Sequence, residues 1–296
     1  MASAVQSYKL IKKIKDEKFD VDHLHQYTLL IHLGFRDLQI GIVNLQNRLV
    51  FFEDYIFQNL NSIDDQLDLL KELFESHQLL TAGFWKKVKF SIKNNKLVQV
   101  PSSLFVEDAA SEYLRLNAKF DLDKELILHC KSKESSAVTV FALHKEIHQW
   151  ISNLYENSTV SFVHQSACLI EGVLKEAPKE SVPPLYIYVD RFKLHILSAR
   201  EGKLVYYNQF PIQQFSDYVK YIMLVLNAMK MDQQNSKIIL WGYIGKKSPH
   251  FIEFSKYIKN VTFGWRTKQL TFGYLFDEVQ DHHFYDLYSM HLIGDS

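Results

Sequence analysis

The amino-acid sequence predicts a mixed α/β protein made of two similar lobes. The main observation is an internal repeat, in which "IHLGFRDLQIGIVNLQNRLVFFEDYIF" at residues 31–57 is echoed by "IYVDRFKLHILSAREGKLVYYNQFPI" at 187–212. After each copy, the spacing of apolar residues changes from the period of two of a strand to the longer period of a helix. The chain has 296 residues, 47% of them hydrophobic, which is enough to bury two cores and excludes disorder throughout.

Each copy is predicted to form an antiparallel meander of three strands followed by a helix. In the first copy, apolar residues alternate along the strands, and the segment from Asn44 to Asn47 supplies a polar turn. The helix in "SIDDQLDLLKELFESH" is expected to begin with a capping box between Ser62 and Asp65. In the second copy the helix is "FSDYVKYIMLVLNAMK", and Ser216 is the expected cap.

The remaining segments extend both units and suggest where the lobes divide. Between the copies we expect a hairpin in "KVKFSIKNNKLVQVP" with Asn94 and Asn95 at its tip, strands in "ELILHCK" and "AVTVFAL", and helices in "LFVEDAASEYLRLN" and "HKEIHQWISNLYE". After the second copy, "KIILWGYIGKKSPHFIEFSKYIKNVTFGW" predicts strand, loop, helix and strand, whereas no pattern assigns the chain from residue 265. The proline-rich "KEAPKESVPP" at 175–184 is the predicted linker, which gives lobes of residues 1–176 and 184–296.

The charge composition excludes some classes of protein. Lysine plus arginine and aspartate plus glutamate both number 34, so the whole chain has no net field that favours nucleic acid or an anionic membrane. The N-terminal segment lacks the apolar run of a secretory signal, and no segment offers the ~18 apolar residues of a membrane helix. The sequence therefore predicts a cytoplasmic protein without a transmembrane segment and without a nucleic-acid partner.

Cysteine and histidine patterns predict no metal site. Cys130 and Cys168 lie in apolar runs outside any C-x-x-C pair, which indicates two reduced, semi-buried thiols. The segment "DHHFYDLYSMH" contains His282, His283 and His291, but adjacent side chains point in different directions on either a strand or a helix. These histidines are therefore expected to belong to a polar and aromatic segment.

The layout of two meander-plus-helix units, each extended by a strand and a helix, resembles the actin-like ATPase superfamily with its ribonuclease H-like fold. The segments "KLVQVPSSLF", "REGKLVYYNQF" and "ILWGYI" resemble more closely a family of uncharacterised bacterial proteins assigned to that fold, over residues 27 to 265. The likeness to pilus-assembly ATPase-like proteins is one of fold only. The resemblance implies a duplicated actin-like fold, and it implies no particular reaction.

The motifs that bind ATP in this superfamily are altered here. In members that use ATP, each meander turn carries an Asp and a following Gly for Mg²⁺ and phosphates, and a later Gly-Gly pair receives the adenosine. His32 and Tyr188 stand at the two Asp positions, and Tyr243 replaces the second Gly of the pair. The resemblance places these residues at the cleft between the lobes: His32, Gly34, Arg36, Tyr188, Asp190, Arg191, Gly242, Tyr243 and Gly245.

These alterations predict a degenerate ATPase fold that serves as a non-catalytic binding or assembly module with a protein partner. Imidazole is a poor ligand for Mg²⁺, and a tyrosine with a pKa near ~10 is no general base at neutral pH. Arg36 and Arg191 are expected to pair with Asp37 and Asp190 in the space that phosphates need. No cofactor and no catalytic residue are expected. The alternative is an ATP-dependent phosphotransferase or ATPase, with Mg-ATP bound and Asp190 replacing the missing carboxylate.

Overall fold

The computed structural model describes residues 7–178 and 182–293, within which the chain forms three β-sheets and a set of mostly short helices. The strands are β1 (Tyr8–Lys15), β2 (Thr28–Gly34), β3 (Asp37–Val43), β4 (Arg48–Phe57), β5 (Lys87–Lys93), β6 (Leu97–Pro101), β7 (Glu125–Lys131), β8 (Ala137–His144), β9 (Thr159–His164), β10 (Leu185–Val189), β11 (Lys193–Arg200), β12 (Lys203–Pro211), β13 (Ile238–Gly242), β14 (Val261–Phe263) and β15 (Thr271–Phe272). The α-helices are α1 (Ile63–Glu75), α2 (Ala110–Arg115), α3 (Lys145–Leu154), α4 (Gln165–Glu176), α5 (Phe215–Ala228), α6 (Pro249–Tyr257) and α7 (Tyr285–Met290), and 3-10 turns occupy Val21–Gln26, Glu107–Ala109 and Tyr274–Glu278.

The two larger sheets share the same connectivity over five strands, to which the first sheet adds β1 and β15. The first has the order β1-β4-β3-β2-β5-β9, with β15 added beside β4, and the second has the order β12-β11-β10-β13-β14. In each sheet an antiparallel meander is followed by parallel strands, namely β5 and β9 beside β2, and β13 and β14 beside β10. This arrangement confirms the predicted mixed α/β class with two meanders. That the two units arose by duplication stays a prediction.

A capping motif marks the start of the helix that follows each meander. Ser62 Oγ accepts the Asp65 amide at 3.0 Å, and the Asp65 carboxylate accepts the Ser62 amide at 3.1 Å, so the predicted capping box of α1 is confirmed. The prediction for α5 was wrong, because Gln214 and not Ser216 precedes the helix. The Asp217 carboxylate accepts the amide of Gln214 at 3.0 Å, and the chain therefore becomes helical before Ser216.

The predicted hairpin at Asn94 and Asn95 does not form. Strand β5 lies between β2 and β9 in the first sheet, whereas β6 pairs with β8 in a separate sheet of order β6-β8-β7. Asn94 redirects the chain, since its side chain accepts the Lys96 amide and donates to the Ala142 carbonyl, both at 2.8 Å. Alternation along the sequence identified both strands but not their partners.

The segments that sequence patterns left unassigned connect the lobes. Helix α4 is buried from Gln165 to Leu174, and its apolar side chains pack with residues of both larger sheets. Strand β15 pairs with β4, and Leu287 and Met290 of α7 are buried in the core of the first lobe. The end of the described chain thus returns to the first lobe. In the predicted linker, residues 179–181 lie outside the described residues.

Candidate functional site

The turns of the two meanders meet across a pocket of about 300 Å³ between the lobes. The turn from Gly34 to Asp37 lies on one side, and the turn from Asp190 to Lys193 lies on the other. A Cβ atom at Gly34 would lie 2.0 Å from Asp37 Oδ1, so a glycine is needed for this carboxylate to fold back against the turn. The Gln66 side chain holds the same turn by donating to the Gly34 carbonyl at 2.7 Å.

Arg191 extends from the second lobe to two carboxylates of the first. Its guanidinium donates to both carboxylate oxygens of Asp54, and the distance from Nη1 to Asp54 Oδ1 is 2.9 Å. The same Nη1 lies 3.3 Å from Asp37 Oδ2. The guanidinium carbon is 4.2 Å from the centre of the Tyr243 ring. Burial raises the pKa of Asp54 even though Arg191 opposes the shift, because the carboxylate is only 1% exposed. This two-oxygen contact is the strongest type of arginine–carboxylate pair.

Lys93 provides a second cation at the same place. Its Nζ lies 2.7 Å from Asp37 and 3.9 Å from Asp190, and it donates to Gln39 Oε1 at 3.1 Å. Burial acts to lower the pKa of Lys93, but the nearby carboxylates of Asp190 and Asp37 raise it. Burial likewise acts to raise the pKa of Asp190, and the charge of Lys93 lowers it. These shifts keep Lys93 and Asp190 charged at neutral pH.

A carboxylate from α7 lies between the two positions at which the superfamily has an Asp. Asp286 accepts from Tyr188 at 2.5 Å and from Gln165 at 2.8 Å, and it lies 2.9 Å from His32 Nε2. Burial acts to raise the pKa of Asp286, but His32 and the other donors lower it. All four side chains are buried. His32 and Tyr188 are thus joined through one carboxylate that lies far from both in sequence.

Lys193 is a further cation at the pocket. Within the described part of the chain, its Nζ is buried and has no hydrogen-bond partner. Burial lowers the pKa of Lys193 to about 8, although Asp190 acts in the opposite direction. On the same face of β11, burial lowers the pKa of His195 to about 3, and its Nδ1 lies 2.9 Å from the Tyr207 hydroxyl. The second lobe thus contributes an unpaired ammonium to this cleft.

Most of the residues predicted from the resemblance lie at the cleft. Arg36 lines the pocket, but its guanidinium lies over the Phe192 ring at 5.7 Å and pairs with no carboxylate of the described chain. Gly242 has φ +90°, and a Cβ there would lie 2.0 Å from the Val189 carbonyl oxygen. Gly245 lies apart from this pocket, in one of about 550 Å³ beside α6.

Four charged residues of the cleft were not singled out as site residues from the sequence. Three of them lie outside the elements that carry the meander-turn motifs, namely Lys93, Asp54 and Asp286. The fourth, Lys193, directly follows the motif of the second meander turn. The sequence shows Lys93 only as a lysine at the end of a predicted strand, and its burial appears only in the structure. Asp286 belongs to the segment "DHHFYDLYSMH", which was interpreted as polar and aromatic without an assigned structure, so no pattern linked it to the cleft.

The chemistry of the cleft is dominated by paired charges. The Asp37 and Asp54 carboxylates are bound by Arg191 and Lys93, which leaves them little capacity to hold the water shell of a metal ion. Over residues 7–178 and 182–293, no group of three histidine, cysteine or acidic side chains is placed to hold a metal ion. His282 binds the Ile244 carbonyl at 2.7 Å, and His291 binds Asn47 at 3.0 Å.

Comparison with solved structures defines the fold. The chain is similar to a protein of unknown function with an actin-like ATPase fold from Bacteroides thetaiotaomicron, with a TM-score of 0.73, 22% identity, and coverage of 83% of this chain and 93% of the other. It is also similar to a chain of the PilM–PilN type IV pilus biogenesis complex, with a TM-score of 0.61, 10% identity, and coverage of 90% and 97%. For the ethanolamine utilization protein EutJ from Carboxydothermus hydrogenoformans, the TM-score is 0.50, the identity 8% and both coverages 90%. The fold is therefore that of the actin-like ATPases.

Residues 16–261 match the protein family of unknown function DUF3822, and the chain belongs to this family. The predicted relationship to a family of unknown function with this fold is thus confirmed. Comparison with curated proteins gives no match. In the parts of the chain that the structure describes, every helix is too short or too polar to cross a bilayer.

Proposed function

We propose that this protein is a non-catalytic binding or assembly module of the cytoplasm, whose nucleotide cleft is crossed by its own ion pairs. The observation that supports the proposal best is the position of Arg191. In members of the superfamily that use ATP, the second meander turn offers glycine backbone to phosphates. Here the same turn sends a guanidinium across the cleft to Asp54 and Asp37.

Electrostatics supports the same proposal. A phosphate group in the cleft would compete with Asp37, Asp54 and Asp190 for the cations that now neutralise them. Breaking a buried ion pair is expensive, since removal of one partner typically costs about 3–5 kcal/mol. His32 and Tyr188, at the positions expected to carry carboxylates for Mg²⁺, are instead engaged by Asp286. These contacts support the proposal that Mg-ATP does not bind at these residues.

A role in assembly has a precedent in the fold. One chain of the PilM–PilN type IV pilus biogenesis complex has the same fold. The identity is only 10%, so the likeness concerns the fold and not a shared partner. We propose that the partner here is another protein, and that it binds to the outside of closed lobes.

Thermal unfolding with and without millimolar Mg-ATP tests the proposal. A ligand present at 100 times its dissociation constant would add ~2.7 kcal/mol to the free energy of unfolding. We expect no shift in melting temperature and no phosphate release above the buffer blank, with an active ATPase of this fold as the positive control. Saturable stabilisation by Mg-ATP would contradict the proposal.

One observation favours the alternative, an ATP-dependent phosphotransferase or ATPase. Asp37 and Asp190 line the same pocket from opposite lobes, with Lys93 between them. Paired carboxylates are the groups that such a site would need. Phosphate release that disappears in Asp190→Asn, while the variant keeps its circular dichroism and melting temperature, would establish this alternative.

A further inference from the structure

The pocket between the two meander turns has the features of a binding site for a small anion. Three cationic side chains and two carboxylates line it, together with apolar groups. The charged lining residues are Arg36, Lys93, Lys193, Asp37 and Asp190. Its volume of about 300 Å³ lies at the lower end of the range for small-molecule sites.

The cations in the pocket are not all neutralised by the protein. Lys93 is paired with Asp37 and lies near Asp190. Lys193 and Arg36, by contrast, have no carboxylate within ion-pair distance among the residues that the structure describes, and the Lys193 Nζ is buried without a hydrogen-bond partner. A buried ammonium without a partner is costly, so a ligand that supplied a negative acceptor would be bound strongly. The uncompensated charge therefore favours an anion.

The carboxylates restrict which anion fits. With three cations and two carboxylates, the pocket lining has a net charge of one positive unit. A phosphate dianion would exceed this charge and would be repelled by Asp37 and Asp190, whereas a monoanion would balance it. A carboxylate has one negative charge and oxygens that accept from an ammonium or a guanidinium.

The apolar groups indicate the rest of the ligand. Phe35 and Phe192 are 37% and 40% exposed, and both line the pocket with the partly buried Ile212. Arg36 lies on the Phe192 ring, which places a cation next to an exposed aromatic surface. An apolar body would cover these rings, and its carboxylate would pair with the Lys193 ammonium after that side chain turned from its buried position into the pocket.

We propose that the cleft binds a small monocarboxylic acid with an apolar or aromatic body, held by Lys193 and Arg36 and packed on Phe35, Phe192 and Ile212. The pKa of Lys193, near 8, leaves the amine mainly protonated at pH 7. This inference rests on the proposed function only because it requires that nucleotide does not occupy the cleft. The probe acids contain no nucleotide. Absence of acid binding would therefore contradict this inference alone, whereas binding of Mg-ATP would contradict the proposed function.

Binding of simple probe acids to the full chain tests this assignment. Phenylacetate and octanoate supply an apolar body and a carboxylate, phenylacetamide lacks the charge, acetate lacks the body, and inorganic phosphate supplies a different anion. At pH 7 and equal concentration, we expect saturable binding by calorimetry and a rise in melting temperature for phenylacetate, octanoate or both. We expect at least about tenfold weaker binding for phenylacetamide, acetate and phosphate.

Variants locate the site. Lys193→Met keeps the length of the side chain and is expected to lower the affinity about tenfold or more, and Arg36→Met is expected to lower it less. Lys246→Met removes a lysine beside the separate pocket near α6 and serves as the matched control with unchanged affinity. Should Lys193→Met fail to fold, Phe192→Ala tests the apolar wall in the same way.

Three results would overturn the assignment. The first is no binding of either apolar acid at 10 mM, the concentration chosen for the assay. The second is equal binding of phenylacetate and phenylacetamide. The third is equal affinity of the wild-type protein and Lys193→Met, which would place any binding elsewhere.

Discussion

Replacing Arg191 tests whether the cross-lobe ion pairs hold the two lobes together. In Arg191→Met, Asp54 would remain buried at 1% exposure without its cation, while Asp37 would keep Lys93. Removal of one partner of a buried pair typically costs about 3–5 kcal/mol, mainly because the other charge stays desolvated. The lost stacking on Tyr243 adds to this cost. We therefore expect the free energy of unfolding to fall by about 3–5 kcal/mol.

The pH dependence of this loss has a definite sign. Burial already raises the pKa of Asp54, and without Arg191 the pKa would rise further. A carboxyl whose folded pKa is raised favours the folded state when it is protonated, and this contribution is lost as pH rises through the folded pKa. The decrease in the free energy of unfolding caused by Arg191→Met should therefore be smaller at pH 5 than at pH 8.

Urea unfolding of a double-mutant cycle measures the pair directly. The cycle consists of wild type, Arg191→Met, Asp54→Asn and the double variant, followed by circular dichroism at both pH values. If the contact stabilises the closed lobes, the coupling energy should reach about 2 kcal/mol or more, and Asp54→Asn should partly rescue Arg191→Met. A single-variant cost below about 1 kcal/mol, or costs that add within ~0.5 kcal/mol, would refute the reasoning.

Three other predictions follow from the linker, the strands and the unpaired lysine. Limited proteolysis should cut first between Lys175 and Pro184, and protection there with early cuts inside residues 27–57 would contradict the division into lobes. Ile40 and Leu194 are fully buried, each in the core of its own lobe, so Asp at either position should cost several kcal/mol in urea unfolding; an undiminished Ile40→Asp would contradict the burial of this side chain. The pKa of Lys193 is lowered to about 8 from 10.5, and the unfolded chain therefore binds more protons between these values. The free energy of unfolding of wild type relative to Lys193→Met should rise from pH 7.5 to 9.5, and a flat difference would mean that the Lys193 amine is solvated.

Sequence patterns predicted what depends on neighbouring residues. The alternation around Ile40 and Leu194 indicated strands with a buried face, although the structure buries both faces of β3 and most of β11. The serine and aspartate of "SIDD" indicated where α1 begins. Both features are local, since a strand face has a period of two and a cap spans three residues. The pairing of β6 with β8 is not local, and the same alternation suited a hairpin equally well.

The candidate site could be predicted only in part for the same reason. The resemblance marked the two meander turns because their motifs are contiguous. Asp286 contacts His32 and Tyr188 from a short helix without a clear pattern, and Lys93 looked like an ordinary polar residue at a strand end. Tertiary packing determines which distant residues come into contact, and a single sequence gives little information about such contacts.

The return of the chain to the first lobe has a consequence for biosynthesis. A ribosome that has released the first meander must still synthesise the whole second sheet before β15 and α7 exist. Until then Leu287, Met290 and the Asp286 carboxylate are missing from the first core and from the cleft. Contacts between residues so far apart in the chain form slowly, so the first lobe is expected to remain incomplete during translation. The apolar residues that later pack against Leu287 and Met290 are therefore expected to stay exposed until α7 has been synthesised.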